Sequence, residues 1–127
     1  MPHRSRLAGF IIDCQTEDLD AAAVFWSRAL GASIGESTVE DTAAYVQFDD
    51  TPGDLHIEVQ KVTHPSRVHL DIESDDIDAE ADRLEKLGAR RIGFVRRWWV
   101  MEAPTGHRLC VVPMKDEPGR TAPHRWD

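Results

Sequence analysis

Residues 7–12 (Leu7, Ala8, Gly9, Phe10, Ile11, Ile12) form a short apolar run with β-branched and aromatic members, which predicts a strand. After Gln15-Thr16-Glu17-Asp18 the apolar positions Leu19, Ala22, Ala23, Trp26, Ala29 and Leu30 recur every three or four residues, so a helix is expected, capped by Thr16 or Asp18 and stopped at Gly31. Three strands are expected next, over residues 32–38, 43–48 and 55–62, with turns at Glu40-Asp41 and at Asp49-Asp50-Thr51-Pro52-Gly53. The order then recurs. Residues 67–72 predict a strand, Ser74 or Asp75 a helix start, Ile77, Ala81, Leu84 and Leu87 an apolar helix face, and Gly88 its end. Residues 90–95, 98–102 and 108–112 predict three more strands, with Ala103-Pro104-Thr105-Gly106 as the last tight turn.

Each half therefore reads strand, helix, strand, strand, strand. The halves also agree in residues: Asp18-Leu19-Asp20-Ala21 matches Asp76-Ile77-Asp78-Ala79, and Ala29-Leu30-Gly31-Ala32 matches Lys86-Leu87-Gly88-Ala89. Because 58 positions separate Asp18 from Asp76 and 57 separate Ala29 from Lys86, duplication accounts for the pattern. The expectation is an α+β fold within one domain, residues 1–127: a first βαβββ module over about 7–62, a second over about 67–113, and a loose tail over 114–127 in which Trp126 is a candidate for docking. One helix covers only one face of a four-stranded sheet, so two curved mixed sheets are expected to enclose a central cleft, a common setting for small-molecule sites.

Composition narrows the function. Hydrophobic residues at 41% and charged residues at 30% describe an ordinary folded domain. A formal charge of −8 supplies no attraction to nucleic acid or to an anionic membrane surface, and the basic pairs Arg90-Arg91 and Arg96-Arg97 read as solvated strand edges. No apolar run approaches a membrane span, the N-terminal residues do not read as a signal peptide, and Cys14 and Cys110 form no CxxC pair, so a cytoplasmic protein with reduced thiols is expected.

The chemistry-bearing residues fall on strands. His56, Glu58 and Gln60 alternate and share one face, leaving Leu55, Ile57 and Val59 for the core. His69 stands in an apolar strand, and Asp71 is read as anchoring that strand's end by hydrogen bonds. Trp98 and Trp99 point to opposite sides of their strand, so one belongs to the core and the other to a ligand or subunit contact. Trp26 reads as packing, Cys110 as a small buried hydrophobe and His107 as a turn residue. No Ser-His-Asp arrangement, glycine-rich phosphate loop or zinc-finger spacing occurs.

Three stretches give a family likeness: His69-Leu70-Asp71-Ile72 with Asp75-Asp76-Ile77-Asp78 and Leu87-Gly88-Ala89; Trp99 to Cys110, enclosing Ala103-Pro104-Thr105-Gly106-His107; and Phe25-Trp26. Together they resemble the glyoxalase, bleomycin-resistance and extradiol-dioxygenase (vicinal oxygen chelate) superfamily, and within it the glyoxalase-like subgroup, over about residues 7–113. The resemblance implies the glyoxalase/bleomycin-resistance fold, a homodimer and, in the metalloenzymes, a divalent ion held by a His or Gln on the first strand and a Glu on the last strand of each module. Carried over, these positions fall on Ile11 and Glu58 in the first module and on His69 and Cys110 in the second. Ile11 has no donor atom and Cys110 replaces a carboxylate, so no family metal is expected; a divalent ion, if bound, would use His69 and Glu58.

Three functions stay open. The first is a binding protein holding a small organic molecule in the cleft through His56, Glu58, Gln60, His69, Trp98, Trp99 and Cys110. The second is a lyase, isomerase or dioxygenase-type enzyme, metal-dependent or using His69 or Glu58 as base. The third is a structural or regulatory homodimer module with a vestigial pocket.

Overall fold

The computed structural model describes residues 2–40, 43–115 and 122–127. The expected turn residue Asp41 and tail positions 116–121 lie outside the described residues. The chain forms two compact units, residues 9–68 and residues 1–8 with 69–127. Strand β1 (His3–Gln15) contributes to both, giving its N-terminal part to the second unit and its residues from Gly9 onward to the first.

In the first unit β1 is followed by α1 (Leu19–Leu30), β2 (Ser33–Glu40), β3 (Ala43–Asp49) and β4 (His56–Val62). The strand order is β2-β3-β4-β1, with β4 parallel to β1 and the other neighbours antiparallel. Asp18 caps α1 by accepting the Ala21 amide at 3.0 Å, and Gly31 closes it in the left-handed region (φ 71°), where a side chain would be strained. Ile12, Cys14, Val46, Phe48, Ile57 and Val59 pack with Ala23 of α1 into one apolar core. The opposite face of this sheet is the one carrying His56, Glu58 and Gln60.

The second unit contains β5 (Arg67–Ser74), α2 (Ile77–Lys86), β6 (Arg90–Val95), β7 (Trp98–Glu102), β8 (Arg108–Pro113) and β9 (His124–Trp126). Its order is β1-β5-β8-β7-β6, with β9 antiparallel to β1. The α2 cap is Asp76, which accepts the Ala79 amide at 3.0 Å, rather than the expected Ser74 or Asp75. Ser74 instead accepts the Asp76 amide at 3.1 Å, and Asp75 binds the backbone and side chain of Arg4. Ala81, Met101 and Val111 form the core on the helix side, with Ile77, Leu84, Trp99 and Leu109 around them.

Two departures concern the ends of the chain. Strand β1 begins at His3, earlier than the apolar run suggests, and the expected loose tail ends in a strand. Trp126 is what fixes that strand. Its indole N–H donates to Ser5 Oγ at 2.8 Å, and the Arg83 guanidinium lies 3.9 Å from its ring centre. The fold is the expected mixed α+β arrangement of two βαβββ units.

Candidate functional site

In each unit the strands have a helix-covered apolar face and a second face on which polar side chains collect. In the first unit the register sets two rows across that second face: Gln47, Glu58 and Ile11, then Tyr45, Gln60 and Asp13. His56 Nε2 lies 2.9 Å from Glu58 Oε1, and both side chains keep partial access to solvent. Tyr45 Oη and Gln60 Nε2 are 3.4 Å apart, and buried Asp13 faces Arg67 at 3.9 Å. His56, Glu58 and Gln60 thus form a convergent polar strip with a histidine–carboxylate pair at one end.

In the second unit the corresponding face holds His69, Asp71 and Glu73 of β5, Arg108, Cys110 and Val112 of β8, and Trp98, Val100 and Glu102 of β7. His69 Nε2 lies 3.5 Å from Asp71 Oδ1, and Asp71 stands opposite Cys110 across the parallel β5–β8 pair. The donor atoms of His69, Asp71 and Cys110 all lie within 4.8 Å of one another. On either side the positive charges are matched: Glu73 receives the Arg6 guanidinium, and Glu102 stands between Arg90 at 3.0 Å and Arg108 at 3.6 Å.

Of the adjacent tryptophans, only Trp98 shares the face of His69 and Cys110. Trp99 lies on the helix side, with its indole N–H on Asp78 Oδ1 at 2.8 Å and Arg91 4.6 Å from its ring centre. Of the pair, Trp99 is thus the one on the core side, as expected for one of the two. Asp71 enters the group as well; its signal in the sequence is the two-residue step from His69, which puts both on one strand face.

Residues 9–112 match the glyoxalase-like domain family. The chain belongs to that family. No curated protein matches the sequence. Among solved structures, the glyoxalase-like chain is similar to a methylmalonyl-CoA epimerase from Mycobacterium tuberculosis, at 18% identity over 86% of this chain and 88% of that one, with a TM-score of 0.64. A hypothetical protein from Bacillus halodurans shares 12% identity over 91% of this chain and 99% of that one, at TM-score 0.67. A methylmalonyl-CoA epimerase in complex with methylmalonyl-CoA and an ammonium ion shares 20% identity over 91% and 99%, at TM-score 0.59. These likenesses establish a shared fold.

The residues present do not fit the hard divalent ion of the family's metalloenzymes. Duplication equates Ile11 with His69 and Asp13 with Asp71; Asp13 pairs with Gln60 as Asp71 pairs with Cys110. The strand register therefore moves the first module's closing position from Glu58, the sequence assignment, to Gln60. A slip of two residues keeps the face, so periodicity alone does not separate the two assignments. The first module then offers Ile11 and Gln60, and the second His69 and Cys110, with no carboxylate at either closing position. Accordingly, Ile11→His alone is expected to leave Mg²⁺ and Mn²⁺ affinity unchanged within about twofold by calorimetry. A gain of tenfold, about 1.4 kcal/mol, would show that one missing ligand was the whole deficit.

Proposed function

We propose that this glyoxalase-like protein binds a small organic molecule against its polar sheet faces, without the family's hard divalent ion. The observation carrying this reading is the convergence of His56, Glu58 and Gln60 on one exposed sheet face and of His69, Asp71, Cys110 and Trp98 on the other. A few placed polar groups beside an aromatic wall are the usual means of fixing a small ligand's orientation. Buried thiols at Cys14 and Cys110 suit a reducing cytoplasm, and a homodimer is the expected assembly. No helix among the described residues is long and apolar enough to cross a membrane.

A second reading, proton transfer on a carbonyl compound, is favoured by the His56–Glu58 pair. The 2.9 Å contact lets one group orient the other as a base, and the epimerase neighbours make acyl-CoA thioesters the first class to try.

Native mass spectrometry of the purified protein, with acyl-CoA thioesters and aromatic acids added in turn, tests the main reading. The expected result is a stoichiometric complex whose affinity falls about tenfold in Trp98→Ala, a loss of about 1.4 kcal/mol. Absence of any retained or added organic ligand, together with a tightly held Mg²⁺ or Mn²⁺, would overturn it. Deuterium exchange at the α-carbon of a bound thioester, lost in Glu58→Gln, would establish the second reading.

A further inference from the structure

We propose that Arg67 anchors the carboxylate of a small organic acid on the first unit's polar face, a step that rests on that face binding an organic molecule. The row formed by Tyr45, Gln60 and Asp13 continues onto the next strand. The sheet order sets β5 beside β1, and Arg67, the first residue of β5, reaches Asp13. Arg67 belongs with residues 9–68, the same compact unit as the rest of the row. Neighbouring strands lie about 4.8 Å apart, so from Tyr45 on β3 to Arg67 on β5 the row crosses about 14 Å, room for a small molecule to lie along it.

What sets Arg67 apart is an unused guanidinium. Its Nε lies 3.9 Å from Asp13 Oδ2, close enough for charge attraction and too far for a hydrogen bond. Among the described residues this is its one ionic contact, and none accepts a hydrogen bond from its side chain. The Arg67 side chain is 46% exposed, whereas that of Asp13 is 3% exposed. Attraction to Asp13 thus keeps a planar fork of N–H donors over the sheet while leaving those donors to a ligand. Arg6 and Arg90 differ, since each donates to a carboxylate, Glu73 and Glu102 respectively.

The backbone that delivers Arg67 is fixed in advance. Ser66 Oγ accepts the Gln15 amide at 2.9 Å, and Gln15 Nε2 donates to the Thr63 carbonyl at 2.8 Å, which ties the connection before β5 to the end of β1. A residue held in place before the ligand arrives loses less freedom on binding.

Charge selects the acid group. A guanidinium pairs bidentately with either a carboxylate or a phosphate. Asp13 and Glu58 already put two carboxylates on this face, so a singly charged carboxylate is favoured over a phosphate dianion, which meets more repulsion. Beyond the anchor, the Gln60 amide and the Tyr45 phenol, 3.4 Å apart, offer a hydrogen-bonding edge and an aromatic surface to the rest of the molecule.

Benzoate, benzamide and phenyl phosphate, titrated separately into isotope-labelled protein and followed by NMR, test the anchor. Benzoate is expected to bind about tenfold more tightly than benzamide, and more tightly than phenyl phosphate, with shifts at Asp13, Gln60 and Arg67. In Arg67→Gln the preference over benzamide is expected to shrink to within about twofold. Failure of benzoate to bind, a preference that persists in Arg67→Gln, or tighter binding of phenyl phosphate would overturn the proposal. Should Arg67→Gln not fold, the Arg67 Nε–H resonance of the wild type decides: it shifts with benzoate and not with benzamide, or the proposal fails. The two readings also fail separately. Benzamide bound at the same residues as tightly as benzoate removes only the anchor, whereas absence of binding by these compounds and by acyl-CoA thioesters alike removes the ligand-binding face with it.

Discussion

Replacing Glu80 by alanine is expected to cost about 3–5 kcal/mol of stability and to lower the thermal midpoint by about 10 °C or more, measured by urea and thermal unfolding. Glu80 is fully buried in α2, and its carboxylate is built into a cluster from distant parts of the chain. His3 Nε2 lies 2.8 Å from Oε1, and Arg83 donates to both oxygens at 2.7 and 2.8 Å. Because an ionised carboxylate only accepts, His3 Nε2 carries the proton in that contact. Removing the carboxylate leaves a buried imidazole N–H and a partly buried guanidinium without their acceptor, which is the costly half of breaking a buried pair. Arg83 also lies over the Trp126 ring, so loss of Glu80 is expected to loosen β9 as well.

The pH dependence separates charge from packing. Burial pushes the Glu80 carboxyl up, but the hydrogen bonds from Arg83, His3 and Ser5, together with the Arg83 charge, outweigh it and hold the group below its ordinary value. A carboxyl depressed in the folded state contributes stability that is complete above the unfolded value, near about 4.3, and lost as pH falls through the folded value. The stability gap between wild type and Glu80→Gln is therefore expected to be full at pH 7 and to shrink below about pH 4. A gap that stays constant from neutral to acid pH would show that shape, not charge, is what Glu80 supplies.

This cluster also marks the limit of sequence reading. Glu80 and Arg83 are spaced as an ordinary solvated helix pair, and nothing local indicates that His3, 77 residues away, arrives to bury them. His3-Arg4-Ser5-Arg6 lacks an apolar strand pattern for the same reason: its strand character comes from pairing with β9, and its side chains find partners in Glu80, Asp75 and Glu73. Elements with their own periodicity were legible, with Asp18 among the caps expected for α1 and with the alternation that separates Ile57 and Val59 from His56, Glu58 and Gln60, whereas the α2 cap falls one or two residues later than expected, on Asp76. Facts of pairing were not. The exchange of Gln60 for Glu58 as the counterpart of Cys110, the side taken by Trp99, and the meeting of Asp71 with Cys110 all depend on which strand lies beside which.

Gly9→Ala is expected to be the most damaging single-methyl change in the first unit, costing about 3 kcal/mol or more and weakening any ligand contact made by β4. Gly9 opens the parallel pairing of β1 with β4, in register with His56. A Cβ there would stand 1.8 Å from the His56 carbonyl oxygen and 2.6 Å from that residue's carbonyl carbon and amide nitrogen. All three are backbone atoms, so no rotamer change relieves the clash, and the strands must separate where His56 and Glu58 are presented. Gly93→Ala is the matched control, since a Cβ there meets nothing within 4 Å; its effect should stay within about 0.5 kcal/mol, the ordinary range for an open surface site. Urea midpoints give the stability of both variants, and amide exchange along β4 locates the opening. Equal midpoints for Gly9→Ala and wild type would mean that β1 and β4 do not approach as closely as this register requires.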